Sequence, residues 1–322
     1  VNAAVSGATG FIGRRLALSL RERGHGVACL ARAPERARDL QAAGCEIVDG
    51  DLSSDAALER LARDKDALFH TAGVICARTT AEFFEVNRDG AARAARAARK
   101  AGTGRFIHVS SLAVSGPAAP GRPVVDASGA NPVGPYGRSK HEGEQAIRAA
   151  GVPHSILRPS AVYGPGDRQF LRLFRMARWG VLPLLGNGRQ ELSLVHVDDL
   201  VCALLAVAES DAALDRTYHV AHPDVVTQPE LLDAIARRLG RRARAIRVPT
   251  LAARAAFAVS GRIAQSFGRA TLLHSDRATE LLAPAWTCSS AALSADVGWR
   301  ATVRLEDGLR TTVEWYRSNG WL

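Results

Sequence analysis

Methionine is almost missing from this chain. Met176 is the only one in 322 residues, so the initiator residue is expected to lie ahead of Val1. No run of about 18 apolar residues occurs, which argues against a spanning helix, although 47% of the residues are apolar and can bury a sizeable core. No export signal is visible, because the first residues read directly as a strand and a glycine loop; a cytoplasmic location is expected. Paired cysteine spacing is absent. Cys29, Cys45, Cys76, Cys202 and Cys288 are scattered, mostly in apolar runs. That pattern points to buried free thiols in a reducing compartment, with no zinc site and no disulfide framework. Basic-aromatic interleaving is lacking too. The formal net charge is +10, but the arginines are spread along helices among alanines. This fits solvated helix faces with a modest pull on anionic cofactors, and no nucleic-acid partner. Internal repeats and disordered linkers are absent, and the length suits one large domain or two ordinary ones.

What is present begins with a short buried strand, Asn2 to Val5, followed by Ser6-Gly7-Ala8-Thr9-Gly10-Phe11-Ile12-Gly13 and a helix in which Ile12, Leu16 and Leu20 share one face. Gly7, Gly10 and Gly13 permit a tight turn and close approach of the backbone to a pyrophosphate, and the helix N-terminus turns free N–H groups to the anion. Between a strand and a helix this spacing is a strong dinucleotide signal. A second strand, His25 to Ala31, ends at Arg32, with Arg36 and Arg38 beyond. An acidic residue there would bind a ribose diol; a guanidinium suits a 2′-phosphate. The expected cofactor is therefore NADP, with NAD possible if Arg32 is merely solvated. A third strand, Cys45 to Val48, leads to Gly50-Asp51-Leu52, where Asp51 can reach an adenine amino group or simply cap a helix. A fourth, Ala67 to His70, ends in Thr71-Ala72-Gly73, small residues that leave room for a flat cofactor. His70 reads as a packed strand residue. Glu82 to Ala101 reads as one long helix with a thin alanine face against a sheet and an arginine face in water; Asn87 is its one polar residue marked as functional.

The chemistry is carried by Tyr136-Gly137-Arg138-Ser139-Lys140. Residues four apart lie on one helix face, so Lys140 stands beside Tyr136. A nearby cation favours a phenolate, and a tyrosine tuned this way can donate or accept a proton near neutral pH. The segment follows a strand, Arg105 to Val109, that ends in Ser110-Ser111, and Ser111 can hold a substrate oxygen. The Gly- and Pro-rich loop between Ser111 and Pro135 is expected to border the substrate. A sixth strand, His154 to Leu157, gives way to Arg158-Pro159 and Val162-Tyr163-Gly164-Pro165-Gly166. The chain then reads as a turn at Gly186-Asn187-Gly188, a strand and capped helix through Leu192–Asp199, a strand at Thr217–Val220, and mostly helix from Gln228 onward.

In this order and spacing, these pieces together with Val195-His196-Val197-Asp198-Asp199 resemble the extended short-chain dehydrogenase/reductase superfamily, the NAD(P)-dependent epimerase/dehydratase family, over nearly the whole chain. The resemblance implies an α/β fold: a doubly wound parallel Rossmann sheet with a smaller, mainly helical substrate domain, and the active site between them. The nucleotide domain is expected at 1–165 plus about 190–221, the substrate domain at 166–189 plus 222–322. It implies Tyr136 as general acid/base, Lys140 as the residue that primes it and binds the nicotinamide ribose, and Ser111 as the group orienting the reacting oxygen, with Ser110 the alternative should the register slip by one. Cofactor contacts are implied at Gly7, Thr9, Gly10, Phe11, Ile12, Gly13, Arg32, Asp51, Leu52, Thr71, Ala72, Gly73, Asn87, Ser110, Tyr136, Lys140, Pro159 and Val162. A small-molecule substrate is the expected partner, and a homodimer is open because such relatives often pair through two helices.

Within the superfamily, 4,6-dehydratases carry an acidic pair after the active-site hydroxyl, where this chain has Leu112-Ala113. Nucleotide-sugar epimerases usually place a diphosphate-gripping arginine before the Val-His-Val-Asp-Asp strand; here Leu192 and Ser193 stand there, and only Arg189 is near. Loss of that arginine fits the hydroxysteroid dehydrogenase and dihydroflavonol reductase branch, which acts on bulky apolar alcohols or ketones. So do the run Leu251–Val259 as an apolar lid and the resemblance of Trp286-Thr287-Cys288 and Val297-Gly298-Trp299 to sterol-type tails. The expectation is an NAD(P)-dependent oxidoreductase for a sterol- or flavonoid-like substrate, with a nucleotide-sugar epimerase or reductase as the alternative. Relatives that serve as redox sensors or structural subunits typically lose Tyr-x-x-x-Lys, so its retention favours an enzyme. The segment Leu251 to Phe267, with Arg254 and Arg262 beside Phe257, Val259 and Ile263, is also expected to be able to rest on a membrane surface.

Overall fold

Six strands of the main sheet carry almost unbroken buried runs and only the edge strand at 46–49 is largely exposed, the pattern of a parallel sheet covered on both faces. The computed structural model describes residues 1–186, 188–241, 244–266 and 279–322. The strands are β1 (Asn2–Ser6), β2 (Gly26–Ala31), β3 (Glu46–Asp49), β4 (Ala67–His70), β5 (Arg105–Val109), β6 (His154–Pro159), β7 (Ala161–Tyr163), β8 (Val181–Leu185), β9 (Glu191–His196), β10 (Arg216–Val220), β11 (Val225–Thr227), β12 (Arg244–Val248) and β13 (Ala285–Trp286). The helices up to residue 266 are α1 (Phe11–Glu22), α2 (Arg38–Ala42), α3 (Asp55–Ala62), α4 (Thr80–Phe84), α5 (Ala91–Ala101), α6 (Pro135–Ala149), α7 (Phe170–Arg178), α8 (Val197–Glu209), α9 (Gln228–Arg238) and α10 (Thr250–Ser266). The main sheet runs β3-β2-β1-β4-β5-β6-β10, every neighbouring pair parallel. This is the expected Rossmann-like α/β fold.

Alternation along each strand sends neighbours to opposite faces. Ala3 and Val5 of β1 join Leu16, Leu20, Leu200 and Leu204 of α1 and α8 in one apolar layer. Ala4 joins Leu58, Leu61, Ala94, Ala98 and Ile147 of α3, α5 and α6 in the other. The alanine face of α5 is buried as read, and Arg96 and Arg99 are in water. The helix itself is not continuous from Glu82. It starts at Thr80, and Glu85–Gly90 is wound as a π-helix. The wide turn lets Asn87 reach sideways to the backbone at Val74, and α6 comes so close that a Cβ on Gly143 would strike the Asn87 carbonyl.

Two strands lie where mostly helix was expected. β12 pairs with β8 in parallel, and β13 pairs with β9, which also carries β7 and β11. Arg-Ala-Ile-Arg-Val hides its strand character because residues 244–247 are all exposed, so no inward-outward alternation is written into it. Other expectations are corrected by packing. Cys29, Cys45 and Cys288 are buried, but Cys202 is exposed and Cys76 half-buried. Phe257, expected to face lipid, is buried with Ala253 against Val248, Leu281 and Leu282. Phe267 lies outside the described residues, as do the side chains of Arg262 and Ile263.

The Val-His-Val-Asp-Asp segment is a clasp. His196 caps α8, its Nδ1 accepting from the Asp198 amide at 3.3 Å. The Arg15 Nε on α1 pairs with Asp198 at 2.5 Å. The buried Asp199 carboxylate accepts from the Thr302 amide and hydroxyl and the Val303 amide at 3.0, 3.1 and 3.0 Å. The Trp299 indole donates to the Asp199 carbonyl at 3.1 Å, so the tail is held against the sheet half of the molecule. Asp199→Ala strands two backbone amides and is expected to lower unfolding free energy by roughly 3 kcal/mol. Urea denaturation checks this; an unchanged midpoint would refute the clasp.

Candidate active site

Strand order reverses between β1 and β4, and in a parallel sheet a crevice opens at that point beyond the strand ends. Gly7 leaves β1 at φ +79°, and a Cβ there would sit 2.5 Å from the Ala72 amide nitrogen. Gly13 has no room for a Cβ between the Gly7 carbonyl and the Thr71 hydroxyl. The turn closes through the Gly10 amide on the Gly7 carbonyl at 2.9 Å, and the Thr71 hydroxyl donates to the Ser6 carbonyl at 2.7 Å. Gly10 caps α1 with no side-chain bond and no acidic residue follows in the first turn, so the helix start is free to receive an anion. Thr9 and Gly10 are exposed, and Phe11 and Ile12 half-buried. Gly166 comes down over Phe11, a Cβ on it lying 3.8 Å from the ring. These features form a backbone cradle that fits a dinucleotide pyrophosphate.

At the neighbouring strand ends, Asp51 accepts from the Ser53 amide and hydroxyl at 2.8 and 2.6 Å. These bonds, with help from the Arg32 charge, hold its carboxyl below the usual range. Arg32 is exposed, and Leu52 packs against Gly90. Gly73 faces the Asn87 carboxamide and the Lys140 ammonium, which a Cβ would meet at 3.1 and 3.7 Å. Asn87 is engaged within the protein. It is buried, bonded both ways to the Val74 backbone at 2.9 Å, and donates to the Ser139 hydroxyl at 3.0 Å. Pro159 is buried at the end of β6; Val162 is half-buried on β7 opposite Val195.

Helix α6 brings the central residues in. Pro135 stands in its first turn, and Gly137 has no space for a side chain against the Ala113 carbonyl. Tyr136 is half-buried with its ring 6.1 Å from Phe83. One turn on, Lys140 is 3% exposed. Its Nζ donates to the Val109 carbonyl at 2.7 Å and lies 3.4 Å from the His108 Nε2. Burial lowers its pKa to about 8, and the charge of Glu144 opposes that fall. Lysine is rare here: Lys65, Lys100 and Lys140 are three of 42 basic residues. A compact ammonium, which can be desolvated and tuned in a way guanidinium cannot, is thus used where arginine is the habit elsewhere.

The two serines have different environments. Ser111 is half-buried at the mouth of β5, and its Oγ accepts from the Ala113 amide at 3.1 Å. Ser110 is buried, and its hydroxyl donates to Glu144 at 2.6 Å, whereas the Ser111 hydroxyl is turned to the loop beyond β5. Beneath them runs a network the sequence did not reveal. Arg158 grips Glu144 with a two-pronged bond at 2.9 and 2.7 Å and donates to the Ser115 hydroxyl at 3.1 Å. Ser115 meets the His219 Nε2 at 2.8 Å, and the His219 Nδ1 lies 2.5 Å from Asp126. Burial alone would push the Glu144 carboxyl up, but Arg158, Ser110 and Arg148 together hold it below its usual value. The one sequence signal was position, since Glu144 lies four residues beyond Lys140 on the same face.

A buried row crosses the sheet at this level. Ser6, His70 and His108 are in register on β1, β4 and β5, with the Ser6 hydroxyl 2.7 Å from the His70 Nδ1 and the two imidazoles stacked at 5.3 Å. Burial, then the Lys140 charge, lowers His70 to about 3 and His108 well below its usual value.

The family model for the NAD dependent epimerase/dehydratase family matches residues 3–221. The chain is 37% identical to the ceramide reductase of Caulobacter vibrioides over 99% of this chain and 95% of that one. It is 31% identical to a 4-hydroxy-2-methyl-3-oxo-4-farnesyl-3,4-dihydroquinoline-1-oxide ketoreductase of Stigmatella aurantiaca, covering 78% and 77%, and 30% identical to a 2-alkyl-3-oxoalkanoate reductase of Stenotrophomonas maltophilia, covering 73% and 75%. The UDP-glucose 4-epimerase of Thermotoga maritima shares its fold at a TM-score of 0.80, with 21% identity over 99% of each chain.

The histidine row carries a pH signature. His70 is neutral when folded and takes a proton when unfolded below about pH 6.5, so its contribution is lost as pH falls from there toward its folded value of about 3. Urea unfolding at about pH 6 and about pH 4 should show wild type losing more stability than His70→Asn, by up to about 1.4 kcal/mol per pH unit. Equal losses would contradict the assignment.

Proposed function

Because the chain belongs to the NAD dependent epimerase/dehydratase family, we propose that it is an NADP-dependent ketoreductase for a long-chain, lipid-like ketone. The observation that carries this reading is the set of relatives. Three relatives at 30% identity or more, each covering 73% or more of this chain, are named as reductases of a ceramide, a farnesyl-bearing ketone and a 3-oxoalkanoate, compounds that join an apolar chain to a reducible or newly reduced oxygen. Leu192 supports it. Where nucleotide-sugar relatives are expected to hold a diphosphate with arginine, this chain packs leucine onto an apolar cluster with Leu231, Leu232 and Ile235. The runner-up, a nucleotide-sugar epimerase or reductase, rests on Arg189, exposed beside Gly188.

In this reading the α1 N-terminus and the Gly7 turn hold the pyrophosphate, Arg32 takes the 2′-phosphate, and Asp51 accepts from the adenine amine. Lys140 donates to the nicotinamide ribose. When bound, the dinucleotide supplies a hydride to the ketone carbon. The Ser111 hydroxyl donates to the ketone oxygen and fixes its direction. The Tyr136 hydroxyl gives that oxygen its proton as the carbon accepts the hydride pair, so ketone becomes secondary alcohol, and Tyr136 regains a proton from solvent. The cation one turn away favours the phenolate left behind.

A substrate panel read by NADPH absorbance tests the reading. Long-chain 3-oxo amides and esters are expected to turn over, with sterol-like ketones slower and UDP-sugars inert. Tyr136→Phe is expected to cut turnover by roughly a hundredfold or more while NADPH still binds. Conversion of sugar nucleotides alone would overturn it in favour of the runner-up.

A further inference from the structure

A second surface of the molecule is both apolar and cationic. Trp179 is 85% exposed, Leu251 82% and Ile246 51%. They belong to one structural unit. Trp179 ends α7 just before Gly180, whose carbonyl accepts from the Arg244 amide at 2.9 Å. That bond opens the β8–β12 pair, in which Ile246 lies opposite Pro183, and Leu251 stands in the first turn of α10, just beyond the end of β12. Exposed arginines occur in the same segments: Arg178 beside Trp179, Arg244 two residues before Ile246 and so on the same side of β12, Arg247 on its other side, and Arg254 one turn beyond Leu251 on α10. Among the described residues none of the four forms an ion pair, although elsewhere on the surface arginines are paired with carboxylates, as Arg237 is with Asp233 and Glu306.

We propose that this face, formed by Trp179, β12 and the start of α10, docks on an anionic lipid bilayer. Charge complementarity selects the occupant. Uncompensated arginines repel a second copy of the same face, and nucleic acid would use the arginines but leave the indole, Ile246 and Leu251 in water. A bilayer of anionic lipid takes both, with the apolar side chains among the upper acyl carbons and guanidinium groups at the phosphates. The inward side of the unit points the same way. Phe257 and Ala253 of α10 pack on Leu281 and Leu282, and neighbouring Glu280 abuts Gly134, leaving no room there for a Cβ. Gly134 caps the helix that carries Tyr136. The docking face is thus one packing layer from the start of α6. The inference goes beyond the substrate reading and does not depend on it, since binding is measured without substrate.

Sedimentation of the full chain with vesicles of phosphatidylglycerol and phosphatidylcholine, against phosphatidylcholine alone, tests it. Binding to the anionic vesicles at low salt is expected. Trp179→Ser with Ile246→Ser, and separately Arg178→Glu with Arg244→Glu, should each weaken it on the order of tenfold. Brominated acyl chains should quench tryptophan emission in wild type and not in Trp179→Phe. Thermal midpoints and turnover of a dispersed short-chain ketone should not change in any variant. Failure to sediment, binding that the apolar variant leaves intact, or duplex DNA displacing the vesicles would each overturn the proposal. Loss of vesicle binding with ketone turnover intact would leave the substrate reading standing.

Discussion

The fork of Arg158 on Glu144 fixes where everything else at the site can be. Both groups are nearly sealed from water, and a buried carboxylate or guanidinium left alone would be strongly unfavourable. Neither strand β6 nor helix α6 can therefore shift without breaking the pair. Ser110 adds the end of β5 to the same lock, while Ser115, His219 and Asp126 extend it to β10 and the long loop after Ser111. Helix α6 is pressed home by glycines at 137 and 143, where any side chain would collide with backbone. Tyr136 and Lys140 take their places as consequences.

The lock also has an electrostatic effect. Lys140 sits where solvation is almost gone, and burial drives its proton off. Glu144, one turn further along the helix, pulls the other way. The balance leaves an ammonium that is still mostly charged at neutral pH and close to losing that charge. The histidines of β4 and β5 remain uncharged beneath it, so they add no repulsion. A sheet interior that would normally exclude a cation thus tolerates one beneath the cofactor crevice.

How much of this could be read from residues alone follows from the range of each interaction. The glycine turn, the small residues at 71–73 and the Tyr136–Lys140 spacing were legible because local sterics and helical period write them into neighbouring positions. Asp126, Glu144, Arg158 and His219 were not legible as a unit. They lie on a loop, a helix and two strands, and only the order of β5, β6 and β10 in the sheet brings them together. Asn87 was marked for its polarity near the crevice, but its bonds to the Val74 backbone and Ser139, which clamp the π-turn, were not legible from the sequence. Asp198 and Asp199 read as a family emblem; Asp199 proves to be the clasp for the tail, and Asp198 ties the start of α8 to Arg15 on α1. Phe257 was read as able to meet a membrane surface because an exposed and a buried apolar stripe look alike when the partner, residues 281–282, is remote in sequence.

One measurement reaches the central claim, that the Glu144–Arg158 lock holds α6 and keeps Lys140 charged beside Tyr136. It is the pH dependence of kcat/KM for wild type and for Glu144→Gln shown to be folded by circular dichroism. The account predicts an alkaline limb near pH 8 in wild type, where Lys140 loses its proton. In Glu144→Gln the limb moves to lower pH, because the charge that favours the ammonium is gone. A wild-type profile flat through that region, or a limb that stays put in the variant, would contradict it.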